Sequence, residues 1–231
     1  MNNKRLIFIL LLSACTMLTV AAERAVVDRI VYEFDLMNMS AKVLNFQTSL
    51  SEPCDVVIPS TIIYKNDRYV VTELSEESMF SNEKLRYDYR EARLNIEHIS
   101  LPNTLKVIHN GAFDGMRRLK DLIIPASVEL FTHIYYEEEP YGTNLLLESY
   151  SIWGDKIYFP RLESIQVLGT PTIDYNNEKI TVASENYATM VGKAIAGIGT
   201  PYASIYCPNL KSFSMPKAEE AIEETRKNQA L

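Results

Sequence analysis

Leu101-Pro102-Asn103-Thr104-Leu105-Lys106-Val107-Ile108-His109-Asn110-Gly111-Ala112-Phe113-Asp114-Gly115-Met116-Arg117-Arg118-Leu119-Lys120-Asp121-Leu122-Ile123 runs directly into Ile124-Pro125. The Leu-Pro that opens this stretch returns as Ile-Pro 23 residues later. A unit that comes back to its start over that length reads as one turn of a solenoid. Each turn then buries apolar side chains only against its neighbours, and the usual product is an extended binding surface.

Shorter copies of the same pattern lie on both sides. Apolar residues spaced as i, i+3, i+5 occur as Ile96/Ile99/Leu101, Leu119/Leu122/Ile124, Leu162/Ile165/Val167 and Leu210/Phe213/Met215. Pro follows in phase in three of the four, at Pro102, Pro125 and Pro216. The last two copies sit in a longer duplication, in which Ile157-Tyr158-Phe159-Pro160-Arg161-Leu162 returns 48 residues on as Ile205-Tyr206-Cys207-Pro208-Asn209-Leu210. Apolar-variable-apolar is strand alternation, so Leu122 and Ile124 point one way and Ile123 the other. Pro ends the ladder because it lacks an N–H. Stacked turns therefore predict an inward column of Ile99, Leu122, Ile165 and Phe213. They predict outward columns of His98, Asp121, Ser164, Ser212 and of Ser100, Ile123, Gln166, Ser214.

Ile58-Pro59-Ser60-Thr61, the hairpin Tyr64-Lys65-Asn66-Asp67-Arg68-Tyr69 and Val71-Thr72-Glu73-Leu74 resemble the entry segment of BspA-like leucine-rich-repeat proteins. The unit from Leu101 to Pro125, with its turn Gly111-Ala112-Phe113-Asp114-Gly115-Met116, is similar to that family's repeat almost throughout. The resemblance covers Val26 to Pro125 well and Ile157 to Pro216 loosely. It implies an exported or cell-surface protein of a Gram-negative anaerobe, with adhesin-like binding of host matrix proteins or other bacteria, and no active site. It also implies that the Ala112-Phe113 pair packs into the side opposite the sheet. The expected fold is thus a β-rich leucine-rich-repeat solenoid of short parallel strands in a right-handed coil. One or two short helices and an N-terminal β-hairpin cap complete it.

The ends define the expected domains. Lys4 and Arg5 precede the apolar run Leu6 to Leu12, and Val20-Ala21-Ala22 before Glu23 offers a small-residue cleavage site. Residues 1–22 read as a signal peptide. A second reading takes Leu12-Ser13-Ala14-Cys15 as a lipobox, with Cys15 lipidated. Residues 23–58 form the β cap, and 59–216 the solenoid with insertions at 81–95 and 132–156. Residues 217–231 form a helical tail. No other stretch approaches the roughly 18 apolar residues that a spanning helix needs. The insertion at 81–95 is charged with mixed sign and reads as solvent-facing.

The full chain of 231 residues carries a formal charge of −7. Losing Lys4 and Arg5 with the leader takes it from −7 to −9. Such an acidic chain without basic clusters argues against nucleic acid and against an anionic membrane surface. Only Cys54 and Cys207 remain after the leader, too far apart in the coil order for a bridge.

Ser184 to Gly197 carries the apolar stripe Tyr187, Met190, Val191, Ala194, Ile195 of an amphipathic helix, predicted over 185–196. Ser184 is its expected N-cap and Gly197 its stop.

Chemistry-bearing motifs are sparse. Gly192-Lys193 before Gly197-Ile198-Gly199-Thr200 has the wrong order for a phosphate loop. His98, His109 and His133 show no metal-ligand spacing and read as solvent-facing, with His109 and His133 as neighbours on adjacent turns. No hydrolase constellation with a nucleophile elbow is present. No catalytic, metal or cofactor residue is assigned. The candidate partner-binding residues lie in the second insertion: Tyr135, Tyr136, Tyr141, Tyr150, Trp153, Glu137, Glu138 and Glu139. Exposed aromatic side chains give rigid contact area at low entropic cost. The expected function is non-catalytic, adhesin-like recognition of a protein or polymer, such as a host matrix protein or an envelope component. The alternative is a structural or accessory envelope lipoprotein. A glycan hydrolase would need two facing carboxylates in a cleft.

Overall fold

The structure is a computed structural model and describes residues 22–47, 52–75, 93–134, 145–146, 159–197 and 207–216, with backbone only at His133. Its strands are β1 (Glu23–Val27), β2 (Ile30–Asp35), β3 (Ser40–Phe46), β4 (Cys54–Val57), β5 (Thr61–Tyr64), β6 (Asp67–Leu74) and β7 (Ile96–Ser100). They continue as β8 (Val107–His109), β9 (Asp121–Ile124), β10 (Leu130–Ile134), β11 (Ser164–Val167), β12 (Thr172–Tyr175), β13 (Glu178–Ile180) and β14 (Ser212–Ser214). The helix α1 (Tyr187–Ala196) lies between β13 and β14.

This is not the regular solenoid of short parallel strands expected from the repeats. The largest sheet has nine strands and is mixed, in the order β1-β2-β3-β6-β8-β10-β12-β13 with β5 added to β6. The pairs β1/β2, β2/β3, β5/β6 and β12/β13 are antiparallel. Only β3/β6, β6/β8, β8/β10 and β10/β12 are parallel. The remaining strands form two separate parallel sheets, β4-β7 and β9-β11-β14. The physical reason is turn chemistry. Asp28-Arg29, Lys65-Asn66 and Asn176-Asn177 each place two successive residues at positive φ, between 48° and 72°. Two such residues make the mirror-image turn that folds a strand back beside itself. The N-terminal cap accordingly has three antiparallel strands instead of a hairpin. α1 is the helix that lies wholly within the described residues, and the tail at 217–231 lies outside them.

Strand register follows the apolar spacing. Ile165 stands opposite Leu122 on one side and Phe213 on the other. Ser164 stands between Asp121 and Ser212, and Gln166 between Ile123 and Ser214. Leu122 and Ile165 are buried while Ile123 is 47 % exposed. In the large sheet the inward column is Ile108, Phe131 and Ile173, and all three are fully buried. Leu122, Ile165 and the large-sheet column belong to one buried cluster that also holds Ala112 and Phe113, and Phe213 packs against it half-buried.

Two segments expected at the surface are pinned to that cluster. Arg93, near the end of the 81–95 insertion, is fully buried, which corrects the solvent-facing reading at that residue, while residues 81–92 lie outside the described ones. It donates from Nη1 to the Asp114 carbonyl at 2.8 Å and from Nη2 to the Ala112 carbonyl at 2.9 Å, and lies 5.6 Å from the Phe46 ring centre. In the second insertion Leu145 and Leu146 are fully buried. The Leu145 carbonyl accepts from Phe113 N–H at 3.1 Å, and Leu145 N–H donates to the Ala194 carbonyl at 3.0 Å.

The helix closes as its sequence predicts and opens differently. Gly197 takes φ 64°, ψ 21° and donates its N–H to the last turn. The N-cap is Asn186, with no side-chain cap bond. Ser184 instead uses its Oγ to accept from Thr181 N–H at 3.2 Å. Tyr187 is buried, and its hydroxyl donates to the Pro171 carbonyl at 2.6 Å, tying the helix start to the segment before β12.

Candidate binding surface

Tyr135, Tyr136, Tyr141, Tyr150, Trp153, Glu137, Glu138, Glu139 and Cys15 all lie outside the described residues. The described chain builds a different constellation on the outward face of the large sheet.

Its base is a row of charges, one from each of four adjacent strands. Arg24 on β1 faces Glu33 on β2, Glu33 faces Lys42 on β3, and Lys42 faces Glu73 on β6. The signs alternate, so each contact is attractive. Arg24 reaches Glu33 Oε2 with Nη2 at 2.9 Å, and Lys42 Nζ lies 3.8 Å from Glu33 and 3.3 Å from Glu73. A β-bulge makes the last match. Ala41 pairs with Val71 but Lys42 pairs with Glu73, which leaves Thr72 as the extra residue. Without that shift Lys42 would face Thr72 and the row would stop.

The row continues as hydrogen bonds. His109 Nε2 lies 2.9 Å from Glu73 Oε2, and its Nδ1 lies 2.7 Å from Thr132 Oγ1. Glu73 is held below the ordinary carboxylate value, mainly by the His109 hydrogen bond; burial, the next largest effect, opposes it, and the charge of Lys42 adds to the lowering. The His109 side chain is 19 % exposed, so it is a half-buried partner and not the solvent-facing residue expected. Register sets Thr132, not His133, opposite His109, one residue off the expected stacking. Carboxylate, imidazole and hydroxyl in this order are the parts of an activated nucleophile. A nucleophile has to reach its substrate, however, and Thr132 is only 7 % exposed. The trio suits a hydrogen-bond ladder better than a reaction centre.

Beside the ladder a cavity of about 380 Å³ opens against the β2–β3 turn, lined by Glu33, Asp35, Leu36, Met37, Lys42 and Glu73 among others. Met37 is 79 % exposed, and Leu36 and Met39 on the same turn are also exposed. Asp35 fixes this turn. Its Oδ1 accepts from the backbone N–H of Met37 at 2.9 Å and of Asn38 at 3.0 Å, and its Oδ2 accepts from Asn38 Nδ2 at 2.7 Å. These donors, Asn38 foremost, keep the Asp35 carboxyl below its ordinary range.

A second, shallower groove of about 590 Å³ lies by the β9-β11-β14 sheet. Its charges are already matched. Lys120 binds Glu97 at 2.6 Å, Lys211 binds Glu163 at 2.7 Å, and His98 binds Asp121 at 2.7 Å. Among the described residues no three His, Cys, Asp or Glu side chains gather as metal ligands.

No family model matches the chain, and no curated protein matches it. Solved structures do show similarity. A leucine-rich repeat protein from Bacteroides capillosus is 21% identical over 47% of this chain and 86% of its own, with a TM-score of 0.33. One from Bacteroides ovatus is 24% identical over 65% of this chain and 33% of its own, with a TM-score of 0.36. The pneumococcal vaccine antigen PcpA is 15% identical over 64% of this chain and 43% of its own, with a TM-score of 0.34. Similarity at these levels assigns the chain to no family.

Proposed function

We propose that the chain is an exported, non-catalytic binding module that recognises a protein at the cell surface, a host matrix protein or a component of the envelope. One observation carries this reading: Leu36 and Met37 stand exposed on a turn fixed by Asp35, over a cavity at the end of an ordered polar ladder. Exposed apolar side chains that adjoin one another and are rimmed by polar groups mark interaction sites more often than single scattered ones do. The N-terminal leader pattern supports export, and the likeness of the Leu101–Pro125 unit to BspA-like surface proteins is in keeping with an adhesin-like role.

The test compares the exported wild-type protein with Met37→Ser in pull-downs against purified matrix proteins and envelope fractions. Capture that Met37→Ser loses, at an unchanged melting temperature, supports the reading. Capture that survives the substitution removes this surface from it. Wild-type protein that retains nothing from either source overturns it.

A further inference from the structure

We propose that the partner presents a lysine or arginine next to a long apolar side chain, and that this pair docks between the 36–39 turn and the β2-β3-β6 face. The inference rests on the binding reading above and adds the chemistry of the partner.

The apolar half follows from the turn. Leu36 and Met37 form one wall of the cavity. Met39 is exposed on the same turn, and its carbonyl accepts from the N–H of Val70, itself exposed, at 2.9 Å. Unbranched, polarisable Met side chains adapt to apolar partners of varied shape. A cavity of about 380 Å³ has room for one large side chain with water around it.

The cationic half follows from charge balance. Three carboxylate side chains line the cavity, Glu33, Asp35 and Glu73, against one cationic side chain, Lys42. Lys42 is shared between Glu33 and Glu73, and Glu33 is held also by Arg24. Asp35 is different. The donors on its oxygens are two backbone N–H groups and one amide, all neutral. It lines the cavity, and among the described residues no side-chain cation pairs with it. A cation entering beside an apolar group would meet both complements at once. The formal charge of −7 adds attraction at longer range for a basic partner and repels an anionic polymer.

A displayed random-peptide library is panned on the exported wild-type protein and counter-selected on Met37→Ser. The expected consensus has Lys or Arg within a residue or two of Leu, Ile, Met or Phe. A synthetic consensus peptide should lose affinity on Met37→Ser, and lose roughly tenfold when its cation is replaced by Gln. Asp35→Asn keeps an acceptor for the two backbone N–H groups while removing the charge, so it should also weaken the peptide roughly tenfold. Glu33→Gln is the second charge variant, with the same sign. An uncharged or acidic consensus overturns the inference, as does affinity indifferent to Asp35→Asn and Glu33→Gln. If Met37→Ser still abolishes natural capture in those cases, the binding reading stands and only the partner chemistry is wrong. No enrichment over the counter-target also overturns the inference, with the reading judged by the pull-downs.

Discussion

His109 is held by Glu73 across the β6–β8 pair, with Nε2 at 2.9 Å from Oε2. An ionised carboxylate can only accept, so Nε2 carries the hydrogen. In neutral His109 the Nδ1 atom then accepts from the Thr132 hydroxyl, 2.7 Å away. Glu73 is therefore the hinge of the ladder, bonded to a histidine on one side and paired with Lys42 on the other.

Stability should depend on Glu73 in a pH-specific way. Its folded pKa is lowered from an ordinary 4.5, through His109 first and Lys42 next. A depressed carboxylate contributes stability that is complete above the unfolded value and is lost as pH falls through the folded one. The melting-temperature gap between wild type and Glu73→Gln should thus be widest at neutral pH and close as pH drops below 4.5. Thermal melts across that range measure it. A gap that stays constant with pH would mean that the carboxylate charge contributes nothing.

Substitutions one residue apart on β9 should separate sharply. Leu122 is fully buried between Ile165 and the core, while Ile123 is 47 % exposed. Leu122→Asp places an unpaired charge in the apolar interior and should cost about 4 kcal/mol or more. Ile123→Asp faces solvent and should stay within about 1 kcal/mol of wild type. Equal losses in denaturant unfolding would contradict the strand phase.

That phase was legible in the sequence because alternation is local: Leu122 and Ile124 sit two apart, and their register with Ile165 repeats a spacing visible in the chain. The helix was legible for the same reason, down to Gly197. The mixed large sheet was not. The antiparallel turn from β2 into β3 was legible as a hairpin, but nothing in the β3 sequence says that its other edge pairs parallel with β6. The ladder was hidden too. Glu73, His109 and Thr132 lie on three strands, and the bulge before Lys42 shifts the match by one residue. Asp35 and Met37 showed no motif. Arg93 was misread because a cation in a charged run looks solvated until its buried acceptors are seen.

Arg93 gives the third prediction. Its guanidinium bridges two buried carbonyls, those of Ala112 and Asp114, with donors spaced as a planar fork. Arg93→Met leaves both carbonyls buried without these bonds and should cost about 3–5 kcal/mol. Arg93→Lys keeps the charge but cannot reach both with the same geometry, and should recover less than half of that loss. Full recovery by lysine in equilibrium unfolding would show that charge alone matters here.

The two described cysteines should differ in reactivity. Neither forms a disulfide. Burial pushes the Cys207 thiol up to about 12, whereas Cys54 on β4 is partly exposed. Alkylation needs both a thiolate and access. At about pH 8 a thiol of that pKa is ionised to roughly one part in ten thousand. Iodoacetamide should therefore label Cys54 in the folded protein and reach Cys207 only on unfolding, as read by peptide mass spectrometry. The raised value carries a stability consequence of opposite sign to that of Glu73. The neutral Cys207 thiol contributes stability that is complete below its unfolded value of 9.0 and is lost as pH rises towards about 12. Cys207→Ala should flatten that alkaline decline while leaving the acid limb unchanged. Labelling of Cys207 in the folded protein at the rate of Cys54 would place it outside the core and remove both expectations.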